Sequence, residues 1–160
     1  EWSPAVIGLC KAVEAEVVGR ILLPLAERAG HEDLSADKND KDIGQVAAFC
    51  AAPNRNPPAL GAFAHFLQTL IHSQQRRQTS ALIGSFLRLA AEWTGSNWLL
   101  DPEAFHRTLM LLTTSFRNRA AHIDELAKED YLSCRELVIG SDGIVWRLLD
   151  ATERHKASPG

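Results

Sequence analysis

The chain contains 160 residues, of which 46% are hydrophobic and 23% are charged, and its formal net charge is −3. These values are typical of one globular domain and exclude a general nucleic-acid coat, because such coats rely on many contacts from Lys and Arg to phosphates. A small, focused basic site is still compatible with this charge. No apolar run approaches the ~20 residues that a membrane-spanning helix needs.

The first predicted element is a long helix that begins near Ser3, a good N-cap, with Pro4 in its first turn. Its buried stripe follows helical spacing through Val6, Cys10, Val13, Val17 and Ile21. Pro24 is expected to kink or split the helix, because proline lacks a backbone N–H, and Gly30 is expected to end it.

The next stretch, "HEDLSADKNDKD", is polar and rich in turn formers, so we predict an exposed loop. A short helix is predicted near Ile43 to Ala51, and the prolines of "PNRNPPA" exclude helix after it. A long helical stretch is then predicted from Pro58 to about Trp93. Its polar patch "HSQQRRQTS" indicates either a break or a wet face.

Asp101 is predicted to N-cap a late helix that has Pro102 in its first turn. Its buried stripe contains Phe105, Leu109, Leu112 and Phe116. Two more helices, "KEDYLSCRELVI" and "DGIVWRLLDATE", are predicted on either side of a turn at Gly140 and Gly143. The run "YLSCRELVI" could instead form a strand, but no partner strand is evident.

The pattern predicts an all-α bundle of about five or six helices, with one domain over residues 1–154 and a flexible tail over residues 155–160. The chain begins at Glu1 and lacks a basic-then-apolar signal segment. We therefore expect it to be a piece of a longer polypeptide.

Three cysteines, Cys10, Cys50 and Cys134, are far apart in apolar surroundings. Their odd number and spacing predict reduced, buried thiols in a cytoplasmic protein, and argue against a disulfide frame or a zinc site. His65 and His72 share a helix face without a third ligand, so no metal site and no cofactor are predicted.

The stretch "SFRNRAAH", residues 115–122, concentrates chemistry at the end of the late helix. Asn118 and His122 share a face of an ideal helix, as do Arg119 and His122, but Arg117 lies about 140° away from His122. The helix must therefore bend or end there, or a second copy must complete the site.

A histidine can transfer protons near neutral pH, and an arginine can bind phosphate and stabilise charge that develops on it. The cluster thus fits metal-independent phosphodiester cleavage, although a charged helix end explains the same residues. A second arginine pair, Arg76 and Arg77, could contact phosphate or lie on a solvated helix face.

"RNRAAH" resembles the motif of the HEPN superfamily, an arginine followed by a polar residue and, after four to six intervening residues, a histidine. The resemblance implies a helical bundle that forms a homodimer with a composite active site and cleaves RNA without a metal. His122 would act as general acid or base, Arg117 would stabilise the phosphate, and Asn118 would position both. The products would carry 2′,3′-cyclic phosphate and 5′-hydroxyl ends.

One subgroup of the family, paired with nucleotidyltransferase antitoxins, has a tyrosine where this chain has Asp124, so modification by such a partner is not expected. Asp124 and Glu125 could raise the pKa of His122 or weaken RNA binding. Arg119 is either a second substrate-binding contact to phosphate or a plain surface residue.

The resemblance implies a toxin or antiviral-defence effector, with a sensor or NTPase module expected in the same polypeptide. An alternative is a catalytically inactive HEPN-like module for dimerisation or RNA binding. A third interpretation is a helical interaction domain in which the motif is coincidental.

Overall fold

The structure, a computed structural model, describes residues 1–122 and 125–156. Within these residues it is helical without strands, apart from one isolated bridge between Trp93 and Arg154, so the all-α prediction is confirmed. The α-helices are α1 (Ser3–Val17), α2 (Leu23–Ala29), α3 (Ser35–Lys38), α4 (Gly44–Ala51), α5 (Leu60–His72), α6 (Gln74–Thr79), α7 (Ala81–Ala90), α8 (Ser96–Leu100), α9 (Phe105–Leu111), α10 (Asn118–Ala121), α11 (Lys128–Ile139) and α12 (Ile144–Ala151).

A π-helical segment, Val18–Leu22, joins α1 to α2 into one long helix. Proline at position 24 has no N–H for the i−4 carbonyl and crowds that carbonyl. The ladder widens in the preceding turn, where the Leu23 N–H donates to the Val18 carbonyl. Pro24 therefore distorts the helix as predicted, and Gly30 caps its end.

The predicted exposed loop before α4 is wrong in part. It contains the short helix α3, and Asp37 within that helix is only 6% exposed. The Asp37 carboxylate accepts hydrogen bonds from Ser80 Oγ at 2.6 Å and from the Leu82 N–H at 3.2 Å. A tertiary contact explains this burial, because the carboxylate accepts hydrogen bonds at the start of α7, a helix far away in sequence.

The stretch predicted as one helix from Pro58 to Trp93 is broken into α5, α6 and α7. Ser73 Oγ accepts from the Arg76 N–H at 3.3 Å, and Ser80 Oγ accepts from the Ile83 N–H at 3.0 Å. Each serine is thus an N-cap that starts a new helix. The polar patch is a break, and such breaks explain why the described residues form more helical segments than the five or six predicted.

Arg76 is not a free cation on a solvated face. Its Nε lies 2.9 Å from Asp40 Oδ2 and its Nη2 lies 2.5 Å from Asp42 Oδ2. His65 Nε2 lies 2.8 Å from Asp42 Oδ1. This network joins α5 and α6 to the segment between α3 and α4.

The late helix begins at Phe105, and the prediction that Asp101 caps it is wrong. Asp101 Oδ1 accepts from the Glu103 N–H at 2.9 Å and closes a separate turn before the helix. From α9 the helix passes through a second π-helical segment, Leu112–Arg117, into α10.

Two threonine hydroxyls bond back to carbonyls of the preceding turn in the second π-helical segment. Thr113 Oγ1 donates to the Leu109 carbonyl at 2.9 Å, and Thr114 Oγ1 donates to the Met110 carbonyl at 2.8 Å. Such back-bonding competes with the helical ladder and bends helices. The backbone ladder is wider here, because the Asn118 N–H donates to the Thr113 carbonyl.

The core lies between these long helices and is rich in aromatic side chains. Phe63 contacts Phe66 and Phe105, and Phe66 meets Phe86 edge-on with ring centroids 5.7 Å apart. α1 packs against α11, α12 and the end of the late helix. The stretch that could have been a strand, "YLSCRELVI", lies within helix α11.

After α12 the chain stays attached to the domain at first, because the His155 N–H donates to the Glu92 carbonyl at 3.0 Å. Residues 157–160 of the predicted tail lie outside the described residues.

Candidate active site

The motif occupies the last turns of the late helix. Arg117 is the final residue of the second π-helical segment, and α10 follows it directly. The His122 N–H still donates to the Asn118 carbonyl at 3.2 Å, but His122 itself has an extended backbone with φ −100° and ψ −167°. The helix therefore ends at His122, which is one of the three arrangements that helical geometry allowed.

Arg117 is directed towards α1. Its Nε lies 3.3 Å from Glu14 Oε1, and the two side chains are 35% and 30% exposed. Both line a cavity of about 90 Å³ between α1 and the end of the late helix, together with Ile7, Cys10, Lys11 and Ala121. We call it the α1–α10 cavity. The ion pair fixes the guanidinium at the edge of this cavity.

Arg119 points elsewhere and bridges two elements. Its Nη1 lies 3.6 Å from Asp130 Oδ1 and 3.5 Å from the Ser115 carbonyl. The Asp130 carboxylate also accepts from the Ala127 N–H at 2.9 Å at the start of α11. Arg119 thus connects α10 with α11.

Asn118 and His122 are both exposed. They continue a line of exposed residues along the outer side of the late helix, on which Met110 is 36% and Leu111 is 45% exposed. We call this line the exposed stripe, comprising Met110, Leu111, Thr114, Asn118 and His122.

One chain does not bring the whole motif together. Arg117 is paired with α1, whereas His122 lies exposed at the helix end, and no hydrogen bond or ion pair among the described residues joins the two side chains. Pairing with a second copy of the chain could still bring the two side chains into one site. Asp124, which could tune His122, lies outside the described residues, and Glu125 beside it is exposed.

The three cysteines are free and buried, as the sequence predicted. A hydrogen bond with the Cys134 thiol lowers the pKa of Cys10, overcoming the opposite effect of burial, and the Arg117 charge adds to the lowering. The same hydrogen bond raises the pKa of Cys134. The described residues hold no group of three or more His, Cys, Asp or Glu side chains that could bind a metal ion.

Two residues of this site, Lys11 and Glu14, were not predicted from the sequence. Both come from α1, which is far from the motif in sequence, and packing alone brings them to Arg117. The available signal was weak: two charged residues lie one turn apart beside the apolar stripe of α1.

A second concavity, the α11–α12 groove, does not include the motif. Its volume is about 660 Å³ and it is lined by Trp98, Thr108, Leu132, Ser133, Glu136, Leu137, Asp142, Ile144 and Arg147. Arg147 lies over the Trp98 ring at 5.3 Å from its centroid, and that ring stacks on Phe105. The groove is therefore walled by side chains that already contact one another.

Comparison of the chain with protein-family models, with curated proteins and with solved structures finds no match in any of the three. Among the helices that the structure describes, none combines the length and the apolar character that crossing a bilayer requires.

Proposed function

We propose that this protein is a metal-independent endoribonuclease of the HEPN type, acting as a toxin or defence effector. One observation carries the proposal. Arg117 is held in place by Glu14, while Asn118 and His122 lie exposed at the end of the same helix. RNA cleavage through the 2′-hydroxyl needs a cation that binds the phosphate and an accessible group that transfers protons. Arg117 and His122 are residues of these two kinds.

In the proposed reaction, His122 as general base takes the proton from the 2′-hydroxyl of the RNA. The 2′-oxygen forms a bond to the adjacent phosphorus, and the bond from phosphorus to the 5′-oxygen breaks. A general acid, the His122 of a second copy, gives a proton to that leaving oxygen. Arg117 stabilises the charge on the phosphate during the exchange, and Asn118 orients the reacting groups. The products are a 2′,3′-cyclic phosphate and a 5′-hydroxyl.

The exposed stripe supports a homodimer as the active form. Met110 and Leu111 present apolar side chains to solvent, and Asn118 and His122 follow them on the same side of the helix. Pairing two such stripes would bury the apolar residues and bring two copies of the motif to one cleft. This arrangement accounts for the separation of Arg117 and His122 within one chain.

One observation favours a second candidate, a catalytically inactive HEPN-like module for dimerisation or RNA binding in a larger regulatory protein. Glu14 already neutralises Arg117, and a carboxylate in that place competes with a phosphate for the guanidinium. The fold and the dimer would be the same, so only an activity measurement separates the two.

The test is incubation of the purified protein with labelled RNA in EDTA, followed by analysis of the product ends. We expect cleavage that leaves 2′,3′-cyclic phosphate, and we expect His122→Ala to abolish it. The fold should survive, because His122 is exposed. His31→Ala is the matched control, since His31 is also exposed but lies after α2. RNA left intact by the wild-type protein in EDTA would favour the inactive module, and an active His122→Ala variant would refute the assignment.

A second test addresses the dimer. Leu111→Glu places a charge in the middle of the exposed stripe, and we expect it to give a monomer that does not cleave RNA. Leu23→Glu is the control, because Leu23 is 43% exposed, close to the 45% of Leu111, but lies on α2. The mass of each variant in solution is measured by light scattering. A dimeric and active Leu111→Glu variant would contradict the proposed interface.

A further inference from the structure

The α1–α10 cavity brings two cations and one carboxylate together. Lys11 and Glu14 are three residues apart and share one side of α1, while Arg117 and Ala121 are four residues apart and form the opposite wall. The short side chain of Ala121 leaves space at that wall. The cavity is therefore a charged recess directly behind the motif.

The contact between Glu14 and Arg117 is an ion pair at one edge of the guanidinium. It engages Nε at 3.3 Å, and an arginine carries five N–H donors in a planar fork. The Nη groups of the fork are donors with the geometry for paired hydrogen bonds to a phosphate. This ion pair keeps the guanidinium beside α1, and both side chains are about one third exposed, so a ligand can reach them.

The charges of the cavity indicate what it can bind. Lys11 and Arg117 contribute two positive charges and Glu14 one negative charge, which leaves a net charge of +1. An internal phosphodiester carries a single negative charge, whereas a terminal phosphate carries about −1.5 to −2 near pH 7. The recess therefore matches an internal phosphodiester better than a phosphorylated end.

We propose that the α1–α10 cavity is a subsite for one internal phosphodiester of the RNA. Lys11 and the Nη groups of Arg117 bind the phosphate, and Glu14 is a positioning residue that orients Arg117. The inference rests on the proposed function for the identity of the ligand. It adds α1 to a site that the motif alone assigns to the late helix.

Lys11→Ala tests the subsite without requiring cleavage. The probe is a short labelled single-stranded RNA with methylated 2′-hydroxyls, which cannot react, and binding is followed by fluorescence anisotropy. We expect roughly three- to tenfold weaker binding and a salt dependence whose slope falls by about one, as for a lost phosphate contact. Lys41→Ala is the control, because Lys41 is exposed in the segment before α4, and it should bind like the wild type.

Glu14→Gln tests the positioning role. It keeps the size of the side chain but removes its charge, so we expect the methylated RNA to bind more tightly. Cleavage should become slower, because the guanidinium loses its orientation, so kcat and KM should fall together. The control is Glu103→Gln, which removes the partner of Arg107 from an exposed pair at 3.0 Å and should change neither value.

The outcomes separate the subsite from the nuclease. Unchanged binding in Lys11→Ala, or equal loss of binding in Lys41→Ala, overturns the subsite even if the wild type cleaves RNA. Weaker binding or unchanged kinetics in Glu14→Gln overturns the positioning role. If the wild type binds but does not cleave, the Lys11→Ala and Glu14→Gln binding results still decide the subsite, and only the nuclease proposal fails.

Discussion

Asp37 joins α3 to the start of α7, and Asp37→Ala tests how much this buried connection stabilises the fold. The carboxylate is 6% exposed and accepts from Ser80 Oγ at 2.6 Å and from the Leu82 N–H at 3.2 Å. Ser80 in turn caps α7 by accepting from the Ile83 N–H at 3.0 Å. Replacing the carboxylate with a methyl group removes both bonds and leaves a buried N–H without its acceptor.

The magnitude follows from the two bonds. A hydrogen bond to a charged group contributes about 1.5–3 kcal/mol, and a buried donor left unpaired costs about 1–3 kcal/mol. Because water and Ser80 can relieve part of this loss, we expect the free energy of unfolding to fall by ~2–4 kcal/mol. For a domain of this size, a loss of ~3 kcal/mol lowers the melting temperature by roughly 6–12 °C.

The assay is urea unfolding followed by tryptophan fluorescence and circular dichroism, with the midpoint compared at unchanged slope. The matched control is Asp33→Ala. Asp33 also accepts two hydrogen bonds, from the Ser35 N–H at 3.0 Å and from Ser35 Oγ at 2.5 Å, but it is exposed. We expect little change in the control. Equal midpoint shifts in the two variants would refute the reasoning that burial gives the Asp37 contacts their weight.

Three further predictions concern pH. Partial burial opposes ionisation of Asp40, but the hydrogen bonds and charge of Arg76, together with backbone hydrogen bonds from Asp42 and Ile43, outweigh burial and lower its pKa. Arg76→Ala should therefore lower the free energy of unfolding at pH 7, and in urea unfolding its difference from the wild type should shrink below about pH 3.9. Burial, aided by the charge of nearby His72, lowers the pKa of His106. The free energy of unfolding should therefore fall as the pH drops below about 6.5, and it should fall less in His106→Asn when both are measured by unfolding titrations. Burial raises the pKa of Cys50 to about 12. Iodoacetamide at pH 8 should therefore label this thiol only after the protein has unfolded, and mass spectrometry detects the label.

The helix content followed from the sequence because apolar periodicity is local. The buried stripes of α1 and of the late helix lie where the spacing predicted them. Pro24 distorts the first long helix and Gly30 ends it, as proline and glycine predicted. The error at Asp37 has a long-range cause. Asp37 looked like a loop residue because its partners, Ser80 and Leu82, are far away in sequence.

The break of the helix between Pro58 and Trp93 was ambiguous for a different reason. Serine is tolerated within a helix as well as at its N-cap, and the periodicity on either side continues. Whether Ser73 and Ser80 start new helices depends on the direction in which the next segment packs. Contacts of Arg76 with Asp40 and of Ser80 with Asp37 decide that direction.

The sequence by itself determined an all-helical domain and a chemically capable cluster at residues 117–122, because both depend on residue type and short-range spacing. Only the tertiary structure decided what surrounds that cluster. It ends the helix at His122, pairs Arg117 with Glu14 and connects Arg119 to Asp130. These partners come from other helices, and no local pattern specifies which charged side chains the packing of α1 and α11 will bring within reach.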